Sequence, residues 1–446
     1  MKKIFLNLIF LAVISTFIVG CSSESNRDSS SSTNTDGNKE GPVELVYVST
    51  QNEESMNRVI KAFEEKNPDI KIKNEVYPFR QLFETLEVKM GAKSTDVDLL
   101  DVDVPLVASY AVKGYLAPLD DLISEDAKSN WVDSAIEASS YQDQLMAPPI
   151  NTSSQVLYYN KEIFEEKGVT PPPNDVEKRW TWEQVVEAAQ KLTYDLNGDG
   201  QTDIFGIGFD QISRPYQILP LPQSLGADQL DESGIVSTGY TNSAKSIEAA
   251  QFYYDLFNTW KVSPKIPVEQ SAEYFATGKT AMFISGPWEV DNLKESDIEY
   301  GFAPHPYFEG GEVVTPTGSW HIGISQFSKK KEAAAKFVEF LTIGEGADLW
   351  FEERGVLPAH LGILQEIKES ADYEEFPANI NRLAAYEAEN TAVPRPITPG
   401  YLEWESLVNK AYEDIKNGSD PKESLDDAVQ QIDRQLKKYE SVVNGK

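Results

Sequence analysis

Cysteine is almost missing from this chain: of 446 residues only Cys21 carries a thiol, so no disulfide can form within it and no cysteine-built metal site is possible. Histidine is nearly as scarce, and His305, His321 and His360 supply no metal-binding pair at helical spacing. No Gly-x-Ser-x-Gly elbow for a nucleophilic serine occurs. Gly278-Lys279-Thr280 ends like a phosphate loop, yet Glu273 stands where that motif's first glycine belongs. Basic residues are outnumbered, with 40 Lys and Arg against 72 Asp and Glu and a net charge of -32. Such a surface repels nucleic acid and anionic lipid and suits a well-solvated protein. The acids themselves decide little, because so many of them supply accidental carboxylate pairs of the kind a glycoside hydrolase uses.

A long apolar run is also wanting. The mainly apolar stretch Ile4 to Ile14 falls short of the ~20 residues a bilayer span needs. With Lys2 and Lys3 before it and Ile18-Val19-Gly20-Cys21 after it, it has the order of a secretory signal peptide over residues 1–20 and predicts export. The lone Cys21 stands where a bacterial lipobox places its cysteine. That resemblance implies a diacylglycerol on the sulfur, and two acyl chains make a stable anchor on the outer face of the plasma membrane. Residues 22–41 hold no large apolar side chain and are rich in Ser, Asn and Gly, so they cannot build a core. They read as a tether reaching about 25 Å.

From Pro42 onward the chain is too long for one core and predicts two lobes. Leu45 to Val48 suits a strand buried on both faces, and Met56, Val59, Ile60 and Phe63 follow at helical spacing. Ile70, Ile72 and Val76 suit a second strand, Phe79 to Met90 a second helix, and Val97 to Val102 a third strand. This βαβαβ order predicts an α/β fold with a parallel sheet, and ligands of such sheets bind at the carboxyl ends of strands. The loops Ser49 to Glu53 and Asp101 to Pro105 are therefore the ones to watch. Thr181 with Gln184 forms a capping box before Val185, Ala188, Ala189 and Leu192, and Ser328 opens a helix carrying Phe337, Phe340 and Leu341.

One loop has the spacing of a calcium site. Asp195, Asn197, Asp199 and Asp203 place oxygens at positions one, three, five and nine, with Gln201 at seven and Gly200 at six. Gly206 occupies position twelve, where a bidentate Glu belongs, so a plain Asx/Gly turn is the competing reading. No other cofactor is expected.

Phe275-Ala276-Thr277-Gly278-Lys279-Thr280-Ala281-Met282, Ile284-Ser285-Gly286-Pro287-Trp288, Gly318-Ser319-Trp320-His321-Ile322-Gly323-Ile324, and Tyr158-Tyr159-Asn160-Lys161 with Thr181-Trp182-Glu183 together resemble the carbohydrate-binding proteins of ABC importers, the maltodextrin-binding proteins among them. The resemblance covers nearly the whole chain after residue 41. It implies a two-lobed periplasmic-binding-protein-like fold with a hinge and an interlobe cleft, a carbohydrate ligand, permease subunits as partners, a monomer, and no enzymatic step. By analogy one lobe takes 42–151 plus 302–350 and the other 152–301 plus 351–446. Trp288 and Trp320 stand where the family stacks sugar rings, and Gly286 precedes the first of them. Tyr216 in Arg214-Pro215-Tyr216 follows the second lobe's loop pattern, and Arg354 and Arg395 match late segments that line the cleft. Ser49, Gln51, Asn52 and Asp103 occupy the strand-end loops, and Asn151 to Ser154 the first crossing. Core packing is the competing role for the tryptophans, helix capping for the strand-end residues, hinge hydrogen bonding for Asn151, and ion pairing for the arginines. Arg214 replaces an acid expected of the maltodextrin members, and Val104-Pro105-Leu106 lacks their charged pair. A surface glycosidase or lyase, and a receptor for a non-sugar solute, remain the alternative functions.

Overall fold

The computed structural model describes residues 41–443, so the signal segment, Cys21 and nearly all of the tether lie outside the described residues. Its strands, in chain order, are β1 (Val43–Ser49), β2 (Ile70–Val76), β3 (Leu99–Asp103), β4 (Val156–Asn160), β5 (Phe205–Phe209), β6 (Thr280–Ser285), β7 (Tyr300–Pro304) and β8 (Trp320–Ile324), with two-residue strands besides. The helices that matter below are α1 (Glu53–Lys66), α2 (Phe79–Gly91), α3 (Trp182–Lys191), α4 (Ala244–Asn258), α5 (Lys331–Ile343), α6 (Glu345–Arg354), α7 (Tyr401–Lys416) and α8 (Pro421–Leu436).

Two four-stranded sheets organise the fold, one in the order β8-β3-β1-β2 and the other β5-β6-β4-β7. In the first, β1 runs parallel to β2 from Val43 opposite Ile70 to Ser49 opposite Val76, and parallel to β3. The antiparallel β8 closes the other edge, with Trp320 opposite Asp103. In the second, β5 is parallel to β6 while β4 runs antiparallel to both neighbours. The βαβαβ reading is thus met. The third strand begins at Leu99 rather than Val97, and α5 begins at Lys331 because Ser328 accepts the Lys330 N–H ahead of it. The return expected at residue 302 falls inside β7, which pairs with β4 along its whole length. The chain re-enters the first sheet only at Trp320.

Local chemistry explains the element ends. Asn52 caps α1 by accepting the Ser55 N–H at 3.0 Å, and Glu53 and Glu54 in the first turn with Lys66 in the last match the helix dipole. The buried face of α1 puts Phe63 edge-on to Phe337 of α5, 5.1 Å between centroids. The Thr181–Gln184 capping box forms and starts α3, whose Trp182 is 1% exposed beside Phe209 and His305. Helices α7 and α8 pack on each other and on α4. Among the described residues no helix is long and apolar enough to cross a membrane.

The passages between the sheets are bonded to one another. Ile150 N–H donates to Trp320 O at 2.9 Å, Thr152 N–H to Leu357 O at 2.7 Å and Ile322 N–H to Pro148 O at 2.9 Å. These shared backbone bonds tie the crossing segments to one another.

Candidate functional site

The carboxyl ends of β1 and β3 from one sheet, and of β5 and β6 from the other, open on one cavity of about 350 Å³. Gln51 and Asn52 follow β1, and Asp103 ends β3. Gln211, Arg214 and Tyr216 follow β5, and Trp288 follows β6. Asn151, Ser153, Ser319 and Trp320 come from the crossings, Trp350 and Arg354 from α6, and Arg395 from the segment before α7. A wider groove of about 950 Å³ continues past Phe79, Gln211 and Arg214 toward Phe83 and α7.

Aromatic rings form two walls. Trp288 and Tyr216 lie 6.4 Å apart and tilted, and Trp288 is fixed by donating its indole N–H to Asp210 at 3.2 Å. Opposite, Trp320 meets Phe79 edge-on at 5.8 Å and stacks on Phe83 at 6.3 Å. Burial raises the Tyr216 phenol to about 12, so it stays protonated and donates to Ser153, whose own proton goes to the Gly318 carbonyl.

Between the walls lies a charge cluster. Asp103 accepts from Arg214 at 3.0 Å and from Arg395 at 3.2 Å through Nη1, while Glu405 accepts from Arg214 Nε at 3.1 Å. Burial pushes the Asp103 carboxyl up, but the Arg395 and Arg214 guanidiniums outweigh it and hold Asp103 below the usual range. Each arginine also covers a ring, Arg214 over Phe79 at 5.1 Å and Arg395 over Tyr216 at 5.3 Å. Behind the surface, burial raises Asp101 to about 7 although Tyr47, Thr50 and Gln51 donate to it. Burial and then the neighbouring Asp210 raise Glu289 to about 7.

Of the sequence-predicted residues, the structure gathers Trp288, Trp320, Tyr216, Gln51, Asn52, Asp103, Asn151, Arg354 and Arg395 on this cavity. It leaves two behind the wall: Ser49 donates to Asn74 at 2.7 Å, and Gly286 lies against the Trp288 ring, with its carbonyl accepting the Tyr158 hydroxyl. The competing roles hold as well for some residues. Asn52 caps α1, Asn151 accepts the Trp320 N–H at 3.3 Å, and Arg395 is ion-paired. Phe79, Gln211, Ser319 and Trp350 were not singled out. Phe79 carried a signal, since it opens a helix directly after a strand's carboxyl end; Trp350 reads as an ordinary apolar position on its helix.

In the Asp195–Asp203 loop, Asp195 accepts the N–H groups of Asn197, Gly198 and Gly200, and Asp203 those of Leu196 and Asn197. Asn197 accepts from Asp199 N–H and Asp199 from Gln201 N–H. Among the described residues no group of three or more His, Cys, Asp or Glu is arranged to hold a metal ion; the loop's backbone bonds fit a turn, and they hold Asp195 ionised by lowering its pKa.

The chain is similar to known proteins over most of its length. A Brucella abortus binding protein is 26% identical over 386 residues, 85% of this chain and 89% of that one. The galactooligosaccharide-binding protein of Bacillus subtilis is 23% identical over 435 residues, 96% of each. The structure of a Listeria monocytogenes ABC substrate-binding protein in complex with cycloalternan superposes with a TM-score of 0.77 at 25% identity, covering 89% of this chain and 99% of that one. These likenesses carry the two-lobed periplasmic-binding-protein fold. Residues 48–343 match the model of the bacterial extracellular solute-binding proteins, and the chain belongs to that family.

Proposed function

We propose that this protein captures a saccharide outside the cell in its interlobe cavity, closes on it and delivers it to the membrane permease of an ABC importer. The observation that carries this reading is the pair of facing aromatic walls, Trp288 with Tyr216 and Trp320 with Phe79, around amide, hydroxyl and guanidinium groups. Sugar rings offer apolar C–H faces to such plates and hydroxyls to such polar groups. The galactooligosaccharide and cycloalternan in the names of the relatives support it. We infer that no bond is broken here. Membership in a family of solute-binding proteins supports this, and Asp103, the carboxylate lining the smaller cavity, is held by two arginines rather than free for the acid–base work of glycoside hydrolysis.

Anchoring through a lipid on Cys21, action as a monomer and calcium in the Asp195–Asp203 loop are parts of the same proposal. Cys21 is supported by its position in the sequence, and the calcium loop by its oxygen spacing. Calorimetric titration of the purified protein against mono- and oligosaccharides, repeated with Trp288→Ala, tests the central claim. Binding that collapses in the variant is expected. Silence across the panel from folded, ligand-free protein overturns it.

A further inference from the structure

The hydrogen-bond inventory of the cavity is lopsided. Backbone N–H groups can only donate, so the amides that accept from them must turn their oxygens that way. Asn52 spends its side-chain oxygen on Ser55 N–H and Asn151 on Trp320 N–H, while Gln211 spends its own on the Arg214 guanidinium. Among the described residues their NH2 groups are wholly uncommitted, while each oxygen keeps one further lone pair. Ser319 Oγ and the Trp350 indole N–H are buried without a protein partner, and Trp350 is itself only 2% exposed. Among the described residues Arg354 has no carboxylate within ion-pair distance, although its neighbours Glu353 and Arg58 are paired with each other.

The charged acceptors are already engaged by protein donors, though not exhausted. The carboxylates of Asp103 and Glu405 serve Arg214 and Arg395, and Asp210 accepts from Trp288 and Ser285 through Oδ2. The Gln51 amide oxygen, whose NH2 is bound by Asp101, and the Tyr216 oxygen are neutral acceptors. A neutral saccharide brings a proton with every hydroxyl and needs acceptors to receive them. An ionised carboxylate brings acceptors only and matches a guanidinium fork. Within a chain of net charge -32, a cavity with an uncompensated arginine and spare donors selects for such a group. Arg354 also stands in the last turn of α6, where its charge offsets the helix dipole, but that role uses none of the spare donors.

Building on the saccharide reading, we propose that the ligand is an acidic saccharide whose anionic group, a carboxylate as in a uronosyl unit, is seated by Arg354 with Trp350 on the same helix and Asn52 at the start of α1. Calorimetric titration with matched pairs tests it: oligogalacturonides against their methyl esters, glucuronosyl-substituted against plain xylo-oligosaccharides, and sugar phosphates against their neutral parents. An acidic member should bind at least about tenfold tighter than its neutral partner. That preference should shrink with added salt and disappear in Arg354→Gln, with thermal unfolding showing that the variant is folded. A neutral member binding as tightly as its acidic partner overturns the inference and leaves the saccharide reading intact. Preference for sugar phosphates alone overturns the carboxylate, and a preference that survives Arg354→Gln overturns the seat. If no saccharide of either kind binds, the proposed function fails first.

Discussion

Replacing Asp103 with Asn keeps its shape and removes the charge that two guanidiniums share. Arg214 is 22% exposed and retains Glu405 at 3.1 Å. Arg395, at 3% exposure, is left with the same Glu405 at 4.0 Å. Stranding one partner of a buried pair costs about 3–5 kcal/mol. For a folded body of this size, that lowers the melting temperature by about 4–6 °C. Because the Asp103 pKa is depressed in the folded state, its contribution is present above the ordinary carboxylate pKa of about 4 and is lost as pH falls through the folded value. The gap between wild type and Asp103→Asn should therefore be full at pH 7 and narrow toward pH 3. Calorimetric scans of both proteins across that range measure it, and the double variant Asp103→Asn/Arg395→Gln should recover part of the loss by removing the stranded charge. A single-variant shift below about 1 °C at pH 7, which corresponds to under about 1 kcal/mol, would refute the account of the cluster as mutually dependent.

Gly286→Ala places a Cβ 1.9 Å from a Trp288 ring carbon, so the ring must leave Asp210, and saccharide affinity should fall about tenfold or more; titration showing affinity within twofold of wild type rejects this. Glu289 has a folded pKa raised to about 7, so its share of stability is full below about pH 4 and lost as pH rises through 7. Urea unfolding should accordingly show Glu289→Gln matching wild type at pH 4 and exceeding it by up to about 3 kcal/mol at pH 8, and equal stability at pH 8 counts against the burial argument. If the Asp195–Asp203 loop takes calcium, adding it raises the melting temperature of the wild type and not of Asp199→Ala; no rise in either protein removes the proposal.

Much of the first sheet was legible because its order is local. Each strand and helix from Leu45 to Asp103 is written in consecutive residues, as a buried apolar run followed by a 3.6-residue period, and the strand ends follow from that alternation. The same logic pointed to Gln51, Asn52 and Asp103 at carboxyl ends. The wall at Trp288 was legible only through the family resemblance of Gly286-Pro287-Trp288, because its local pattern suits a core tryptophan as well.

Composition and local spacing by themselves determined the sign of the surface, the lack of disulfides, the α/β alternation and the capped helix starts, because each depends on residues near one another in sequence. Tertiary structure alone decided that β7 belongs to the second sheet, that Phe79 and Trp350 reach the cavity, and that Asp103 serves Arg214 and Arg395 rather than standing free for a ligand. The Asp103 pairing rests on partners 111 and 292 positions away, and contact over such separations is set by how the two lobes pack, which no local pattern encodes.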